Sequence, residues 1–171
     1  MTHEELVNLI RGGINEPGGT WADFGAGSGS FTRALRDLLG AEAALYAVDR
    51  DARALAALSR TVDAQTITAD FTKPLDLPPL DGLLIANALH WVRQHKAVLR
   101  LLAGYLKPGG RFLIVEYDVI VPRGYIPFPV PFSRFTELAG EVGLTDVQRV
   151  GERKSPSNGT VMYAGMGVSA K

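Results

Sequence analysis

A glycine-rich turn at residues 25–29 is the feature that most constrains how this chain can fold. The apolar run at residues 20–24 predicts a buried strand before the turn, and the helical spacing of apolar residues in 31–38 predicts a helix after it. Glycine at alternate positions lets the backbone adopt positive φ and lets a ligand approach the main chain. The start of the helix supplies unpaired N–H groups and the positive end of a dipole. The segment therefore predicts a strand–turn–helix unit that holds a ligand at the turn.

The same alternation continues along the chain, and it is typical of a parallel sheet covered by helices. Strands are predicted at residues 20–24, 43–48, 65–69, 82–86, 112–117, 146–150 and 161–168, and helices at residues 4–10, 31–38, 52–58, 92–106 and 133–141. Pro74, Pro78 and Pro79 predict an irregular crossover after the third strand. The last two strands are joined by the turn-rich residues 155–159, which predicts an antiparallel hairpin.

These elements predict an α/β fold, a doubly wound seven-stranded sheet with six parallel strands and an antiparallel seventh. The length suits one domain that covers residues 1–171. The 18 basic and 18 acidic residues balance, which argues against binding to nucleic acid. No cysteine is present, so thiolate metal sites and Cys nucleophiles are excluded. Residues 1–5 do not resemble a signal peptide, and no apolar run is long enough to span a membrane, so we expect a cytoplasmic protein without a membrane partner.

The turn itself has the pattern D-x-G-x-G-x-G. The nicotinamide fingerprint G-x-G-x-x-G requires glycine where this chain has Ser30. The observed pattern resembles the first motif of class I S-adenosylmethionine-dependent methyltransferases. This resemblance implies a Rossmann-like methyltransferase fold, S-adenosylmethionine as cofactor and S-adenosylhomocysteine as product. The cofactor-binding residues that it implies in this motif are Asp23, Gly25, Ala26, Gly27 and Gly29.

Two further acidic residues follow predicted strands. Asp49 ends the second strand, where a carboxylate can accept hydrogen bonds from both ribose hydroxyls of an adenosine. The alternative is a helix N-cap or a surface charge. The resemblance places Arg50 against the adenine ring, where a guanidinium can stack. It also assigns the adenine amino group to the Asp70 carboxylate and a ring nitrogen to the Phe71 backbone N–H; the alternative is an ordinary strand end followed by a core Phe.

The fourth strand ends in the run Asn87-Ala88-Leu89-His90-Trp91. By resemblance, Asn87 contacts the cofactor amino group, and His90 and Trp91 lie near the methyl acceptor. The alternative for these residues is a helix-capping Asn, a His bonded to the backbone at a helix start and a half-buried Trp. Lys107-Pro108-Gly109-Gly110 is similar to the turn before the fifth strand of the same family, and we assign it no ligand.

Several subtypes of the family do not match this sequence. Pyrimidine carbon-5 methylation needs a Cys nucleophile, and an Asn-Pro-Pro-Tyr motif of amino-group methylation is absent. Asn87 and Asp118 do not reproduce the ligand set of metal-dependent catechol-type enzymes, so we expect no metal. The run after Asn87 looks closest to enzymes that act on small metabolites, so we expect a small-molecule acceptor. Where a general base is needed, His90 is the first candidate and Tyr117 the second.

The loop at residues 118–132 is rich in prolines and aromatic residues. It follows the fifth strand, so it emerges at the carboxyl edge of the sheet, where ligands bind in open α/β folds. We predict that Tyr125 and Phe128 line the acceptor pocket; a dimer contact is the alternative, and the protein is expected to be a monomer or a homodimer. Two other functions remain open: a non-catalytic member of the fold that binds the cofactor or a protein partner, and, less favoured, a nicotinamide-dependent oxidoreductase.

Overall fold

The computed structural model describes residues 1–155 and 159–170. Its strands are β1 (Thr20–Phe24), β2 (Ala44–Asp49), β3 (Gln65–Thr68), β4 (Leu80–Ala86), β5 (Leu106–Tyr117), β6 (Leu144–Lys154) and β7 (Val161–Ser169). Its α-helices are α1 (His3–Ile10), α2 (Ser30–Leu39), α3 (Ala52–Leu58), α4 (His95–Ala103) and α5 (Phe132–Glu141). Short 3₁₀ turns occupy Arg11–Gly13 and Leu89–Trp91.

All seven strands belong to one sheet with the order β3-β2-β1-β4-β5-β7-β6. The pairs from β3 to β5 are parallel, and β7 runs antiparallel to both β5 and β6. Six strands therefore point one way and β7 points the other, which confirms the predicted fold class and the C-terminal hairpin. The chain reverses its winding direction between β1 and β4, and such a switch point is where open α/β sheets bind ligands.

Helices cover both faces of the sheet because its central strands are apolar on both faces. In β4, Leu83 and Ile85 pack into a cluster with α4 and α5, and Leu84, between them, packs into a second cluster with α1 and α2. Successive side chains of a strand point to opposite faces, so a continuous apolar run requires cover on each side. The sequence of β4 thus dictates the layered architecture. No helix in the described ranges, 1–155 and 159–170, combines the length and the apolar character needed to cross a bilayer.

The segment after β4 differs from its prediction. The prediction of a continuous helix at residues 92–106 is wrong. A 3₁₀ turn covers Leu89–Trp91, α4 begins only at His95, and Leu106 already belongs to β5. The Val92 N–H donates to the Leu89 carbonyl and closes the 3₁₀ turn, whereas the first bond of α4 runs from the Val98 N–H to the Gln94 carbonyl. The predicted helix was too long at both ends because Val92, which closes the 3₁₀ turn, and Leu106, the first residue of β5, continue the apolar spacing of α4.

The predicted turn at residues 107–110 lies inside β5 as a bulge. Leu106 pairs with Leu80 and Arg111 with Gly82, so the four residues 107–110 of β5 lie opposite the single residue Asp81 of β4. Gly109 has φ of +78°, which a bulge of this kind favours. The irregular crossover after β3 is confirmed, since residues 69–79 contain no helix. Of the predicted hairpin turn at residues 155–159, residues 156–158 lie outside the described residues.

Candidate functional site

The carboxyl edge of β1 to β4 brings the predicted cofactor residues together around two adjoining cavities. The larger, which we call the main cleft, has a volume of about 780 Å³; the smaller, the side cavity, has about 340 Å³. Both cavities are lined by Gly25 and Asn87, so they meet at these two residues. Of the other predicted residues, the main cleft is lined by Asp49, Arg50, Asp70, Phe71, Trp91 and Phe128, and the side cavity by Asp23, Ala26 and Gly27. Gly29, His90, Tyr117 and Tyr125 line neither.

Two glycines of the turn have distinct roles. Gly27 has φ of +52°, and a Cβ added there would approach no atom more closely than the Gly25 carbonyl oxygen at 4.0 Å. Its backbone is therefore open toward the side cavity, where a ligand can approach. Gly29 has φ of +82°, and a Cβ there would lie 2.6 Å from the Leu58 side chain. Gly29 thus serves the packing of the turn against α3 rather than the cavity.

Asp49 connects the end of β2 to the glycine turn. Its Oδ2 accepts a hydrogen bond from the Gly27 N–H at 2.8 Å, and its Oδ1 accepts one from the Asp51 N–H at 2.9 Å. The N-cap of α3 is Asp51, whose Oδ1 accepts from the N–H groups of Arg53 and Ala54. The alternative role of Asp49 as N-cap is therefore wrong. Each carboxylate oxygen carries two lone pairs, so Asp49 can still accept two hydroxyl groups from the main cleft.

Asp70 and Phe71 form another part of the main cleft, beyond the end of β3. The Thr72 hydroxyl and backbone N–H donate to Asp70 Oδ1 at 2.7 and 2.9 Å, and these bonds lower the pKa of the Asp70 carboxyl. Asp70 therefore remains an ionised acceptor at neutral pH. The Phe71 ring is half-buried and lies beside Gly25, so it forms a wall of the cleft as well as part of the core.

Two residues that line the side cavity each have a buried oxygen without a partner among the described residues, Asp23 Oδ1 and Asn87 Oδ1. The other oxygen of Asp23 accepts the Thr32 hydroxyl at 2.6 Å. Burial raises the pKa of Asp23 to about 7. Asn87 has φ of +51°, a conformation that non-glycine residues adopt only rarely. Unpaired buried acceptors are costly, so this pair fits a ligand that brings N–H donors and positive charge, as an ammonium group does.

His90 is tied to a residue that the sequence analysis did not identify. Glu116 in β5 is fully buried; its Oε1 accepts the His90 backbone N–H at 3.1 Å and its Oε2 lies 2.6 Å from His90 Nδ1. The signal available in the sequence was a lone acidic residue within the apolar run of β5. The alternative of a His bonded to the backbone is wrong, because the imidazole pairs with a carboxylate. Burial, with Glu116 and Tyr125 nearby, raises the pKa of Tyr117, so its phenol stays protonated and is suited to donate rather than to accept a proton.

The acceptor residues predicted from the loop are separated by the structure. Phe128 lines the main cleft, its N–H donates to the His90 carbonyl at 3.0 Å, and the Arg93 guanidinium lies 4.9 Å from its ring centre. Trp91 also lines the cleft and is 56% exposed, which is more than the alternative of a half-buried Trp implies. Tyr125 is 44% exposed and contacts the Tyr117 ring edge-on at 6.1 Å, outside the cleft. Within the described parts of the chain, no three His, Asp or Glu side chains are grouped so as to hold a metal ion.

Comparisons with solved structures agree with this fold. One similar structure is a phosphoethanolamine N-methyltransferase 2 from Haemonchus contortus, solved with phosphomonomethylethanolamine and S-adenosylhomocysteine. The superposition includes 98% of the present chain and 52% of the Haemonchus chain, with 15% sequence identity and a TM-score of 0.76. A second is the 1,6-didemethyltoxoflavin-N1-methyltransferase of Burkholderia thailandensis, which matches 99% of the present chain over 78% of its own length, with 18% identity and a TM-score of 0.76. A third is a SAM-dependent methyltransferase from Aquifex aeolicus, which matches 96% of the present chain over 89% of its own length, with 16% identity and a TM-score of 0.75. The chain spans only about half of the Haemonchus protein.

No protein with a curated function matches the sequence. The profile of the methyltransferase domain family matches residues 22–114, which is more than half of the chain. The match begins within β1, covers β2 to β4 completely and includes the predicted cofactor motifs. The chain therefore belongs to the methyltransferase domain family, and it has the same fold as the S-adenosylmethionine-dependent methyltransferases among these solved structures.

Proposed function

We propose that this protein transfers the methyl group of S-adenosylmethionine to a small-molecule acceptor by in-line displacement. The observation that carries the proposal is the junction of the two cavities at Gly25 and Asn87. An elongated ligand can place an adenosine in the main cleft and an amino-acid group in the side cavity only if the two spaces connect. S-adenosylmethionine has that shape, and when bound it supplies a methyl group activated by a sulfonium.

The residues of the chain divide between the two ends of this ligand. In the main cleft, Asp49 would accept the ribose hydroxyls, and Asp70 and the Phe71 backbone would hold the adenine, with Arg50 beside the ring. In the side cavity, the partnerless oxygens of Asp23 and Asn87 would accept the ammonium group, next to the open backbone of Gly27. These assignments give partners to the unpaired buried oxygens of Asp23 and Asn87.

A small acceptor fits the remaining part of the main cleft. Trp91 and Phe128 supply apolar walls there, and the main cleft as a whole, at about 780 Å³, has a volume in the range usual for small-molecule sites. The zero net charge of the chain gives no general attraction for nucleic acid. Two structural relatives were solved with small acceptors, phosphomonomethylethanolamine and 1,6-didemethyltoxoflavin, which supports the same class here.

The protein accelerates such a displacement chiefly by orientation. Holding the nucleophile and the methyl carbon about 3 Å apart and in line can contribute roughly 7–11 kcal/mol in favourable cases. The cleft walls limit the poses of the acceptor. We further propose that residues 1–171 act as one domain in the cytoplasm, as a monomer or a homodimer; the single sheet formed by all seven strands supports the first point.

The test combines cofactor binding with a labelled transfer assay. The wild-type protein should bind S-adenosylhomocysteine with micromolar affinity in calorimetry. Asp49→Ala should weaken binding at least tenfold, because charge-assisted hydrogen bonds contribute about 1.5–3 kcal/mol each. Asp49→Asn keeps an acceptor for the Gly27 N–H and separates loss of the ligand bonds from loosening of the turn. Asp37→Ala, on the exposed side of α2 and paired with His3, is the matched control and should bind normally.

For the acceptor class, S-adenosylmethionine with a labelled methyl group is incubated with separate metabolite, RNA and protein fractions of a cell extract. Label should enter the metabolite fraction, and Asp49→Ala should reduce its incorporation at least tenfold. Label that enters RNA or protein instead would contradict the small-molecule proposal, and a wild-type protein that does not bind S-adenosylhomocysteine would contradict the cofactor site.

A further inference from the structure

A fully buried carboxylate near the main cleft has no role in the cofactor site. Glu116 lies in β5 between Val115 and Tyr117, is 0% exposed and lines neither cavity. An apolar side chain would be expected at such a position, because burying an ionised group is costly unless the group is paired. Its pairing therefore indicates what it does.

Both oxygens of Glu116 are used by one residue. Oε1 accepts the backbone N–H of His90, and Oε2 lies 2.6 Å from His90 Nδ1. A carboxylate can only accept hydrogen bonds, so Nδ1 must carry the hydrogen that it shares with Glu116. In the neutral imidazole this leaves the lone pair on Nε2.

Nε2 of His90 is available to a ligand. It makes no hydrogen bond within residues 1–155 and 159–170, yet it is not among the fully buried atoms that lack a partner, so it keeps access to solvent. The whole side chain is only 3% exposed, which means that access is limited to a small opening. The imidazole lies between Trp91, 5.2 Å away between ring centres, and Tyr117, at 6.0 Å. Trp91 is a wall of the main cleft, so the imidazole packs directly behind that wall, although His90 itself does not line the cleft.

We propose that Glu116 is a positioning residue that fixes His90 in the tautomer with a free Nε2, and that His90 thereby takes the proton of the acceptor during methyl transfer. The inference rests on the function proposed above. The acceptor atom forms a bond to the methyl carbon, the carbon–sulfur bond breaks with its electron pair going to sulfur, and the acceptor proton moves to Nε2. The imidazolium then faces a carboxylate already in place, so its charge is stabilised without rearrangement. The proton afterwards passes to water.

The decisive variant is Glu116→Gln, which keeps the shape of the side chain. Its amide oxygen can accept the His90 backbone N–H, and its NH₂ group then points at Nδ1 and can only donate. His90 is forced into the opposite tautomer, with hydrogen on Nε2, and can no longer accept a proton there. Transfer to the metabolite fraction should fall roughly 10²- to 10⁴-fold, the usual contribution of general base catalysis, while the Kd for S-adenosylhomocysteine stays within about twofold.

Nitrogen-15 NMR of labelled histidine reports the tautomer directly and needs no acceptor. The wild-type protein at neutral pH should show hydrogen on Nδ1 and a lone pair on Nε2, and Glu116→Gln should show the reverse. Glu141→Gln, at an exposed residue paired with Lys96, is the matched control and should change neither tautomer nor turnover.

Three results would overturn the proposal: a wild-type His90 with hydrogen on Nε2, a Glu116→Gln protein that keeps full turnover, or a loss of turnover in this variant that is matched by loss of S-adenosylhomocysteine binding. Because the wild-type spectrum is informative by itself, a variant that does not fold leaves the proposal testable. Failure of wild-type S-adenosylhomocysteine binding would instead contradict the proposed function, so the two failures are distinguishable.

Discussion

Asp23 shows how a single residue can couple folding and ligand binding. Its carboxyl is buried, and burial raises the pKa to about 7 although the Thr32 hydroxyl donates to one oxygen. The folded state therefore binds the proton more tightly than the unfolded chain does. The stability that Asp23 contributes is complete at acidic pH, below the pKa in the unfolded chain, and is lost as pH rises through about 7. A cation bound beside Oδ1 would oppose this loss.

Cofactor affinity should therefore depend on the protonation of Asp23. An ammonium group prefers the ionised carboxyl, so affinity for S-adenosylhomocysteine should fall roughly tenfold between about pH 8 and about pH 6. Asp23→Asn should bind more weakly at high pH and should lack this dependence. Calorimetry across the pH range measures both proteins, and without ligand the variant should gain thermal stability over the wild type as pH rises. An identical pH profile in the two proteins would show that Asp23 does not contact the ammonium group.

Single residues were predicted from sequence where a motif marks a strand end. Asp49, Asp70 and Asn87 each follow a strand, and parallel strands bring their ends to one edge, so their proximity follows from the order of the motifs. Glu116 was missed because the apolar pattern of β5 assigns it to the core, and its partner is 26 residues away. An acidic residue in an apolar strand can be a mere interruption of the pattern or a functional group. Contacts across the sheet decide between the two, and no local sequence pattern contains them.

At the scale of elements, the segment after β4 was the least predictable and bears most on the acceptor side. The 3₁₀ turn Leu89–Trp91 is held by two long-range contacts, the Glu116 pair with His90 and the bond from the Phe128 N–H to the His90 carbonyl. The sequence pattern predicts a helix only from residue 92 onward, and these long-range contacts, which stabilise the tighter turn before it, have no local signal. The turn brings Trp91 to the rim of the main cleft, and the loop from β5 supplies Phe128 opposite Arg93.

This arrangement predicts different effects for the two aromatic residues of the loop. Phe128→Ala removes a cleft wall and should raise the KM for the acceptor about tenfold or more, since burial of a large apolar side chain contributes roughly 1.5–3 kcal/mol. Affinity for S-adenosylhomocysteine should change little. Tyr125→Ala, outside the cleft, is the matched control and should leave the KM unchanged. Steady-state kinetics and light scattering distinguish the alternatives: a smaller species for Tyr125→Ala with normal kinetics would indicate that the loop is a dimer contact.

At the scale of the whole molecule, the order of the strands decides where the site can be. The sheet order and the direction of β7 follow from the alternating pattern and the short final connection, so they were predictable. The division of the carboxyl edge into two adjoining cavities was not predictable, because it depends on the positive φ of Asn87 and on the approach of Ala88 to Gly25. The motif identifies the class of cofactor, and the packed edge gives the space in which it can lie.

Ligand-induced stabilisation tests this whole-molecule picture, because a ligand that bridges the two cavities connects residues of β1, β2 and β4. At a concentration roughly 100 times its Kd, a ligand that binds only the folded state stabilises it by about 2.7 kcal/mol. For a domain of this size that corresponds to a rise in Tm of roughly 5–10 °C with S-adenosylhomocysteine. NADH should produce no rise, because the glycine spacing ending at Ser30 does not fit the nicotinamide fingerprint. Asp49→Ala should lose most of the shift while Asp37→Ala keeps it. A rise with NADH and none with S-adenosylhomocysteine would show that the edge binds a different nucleotide cofactor.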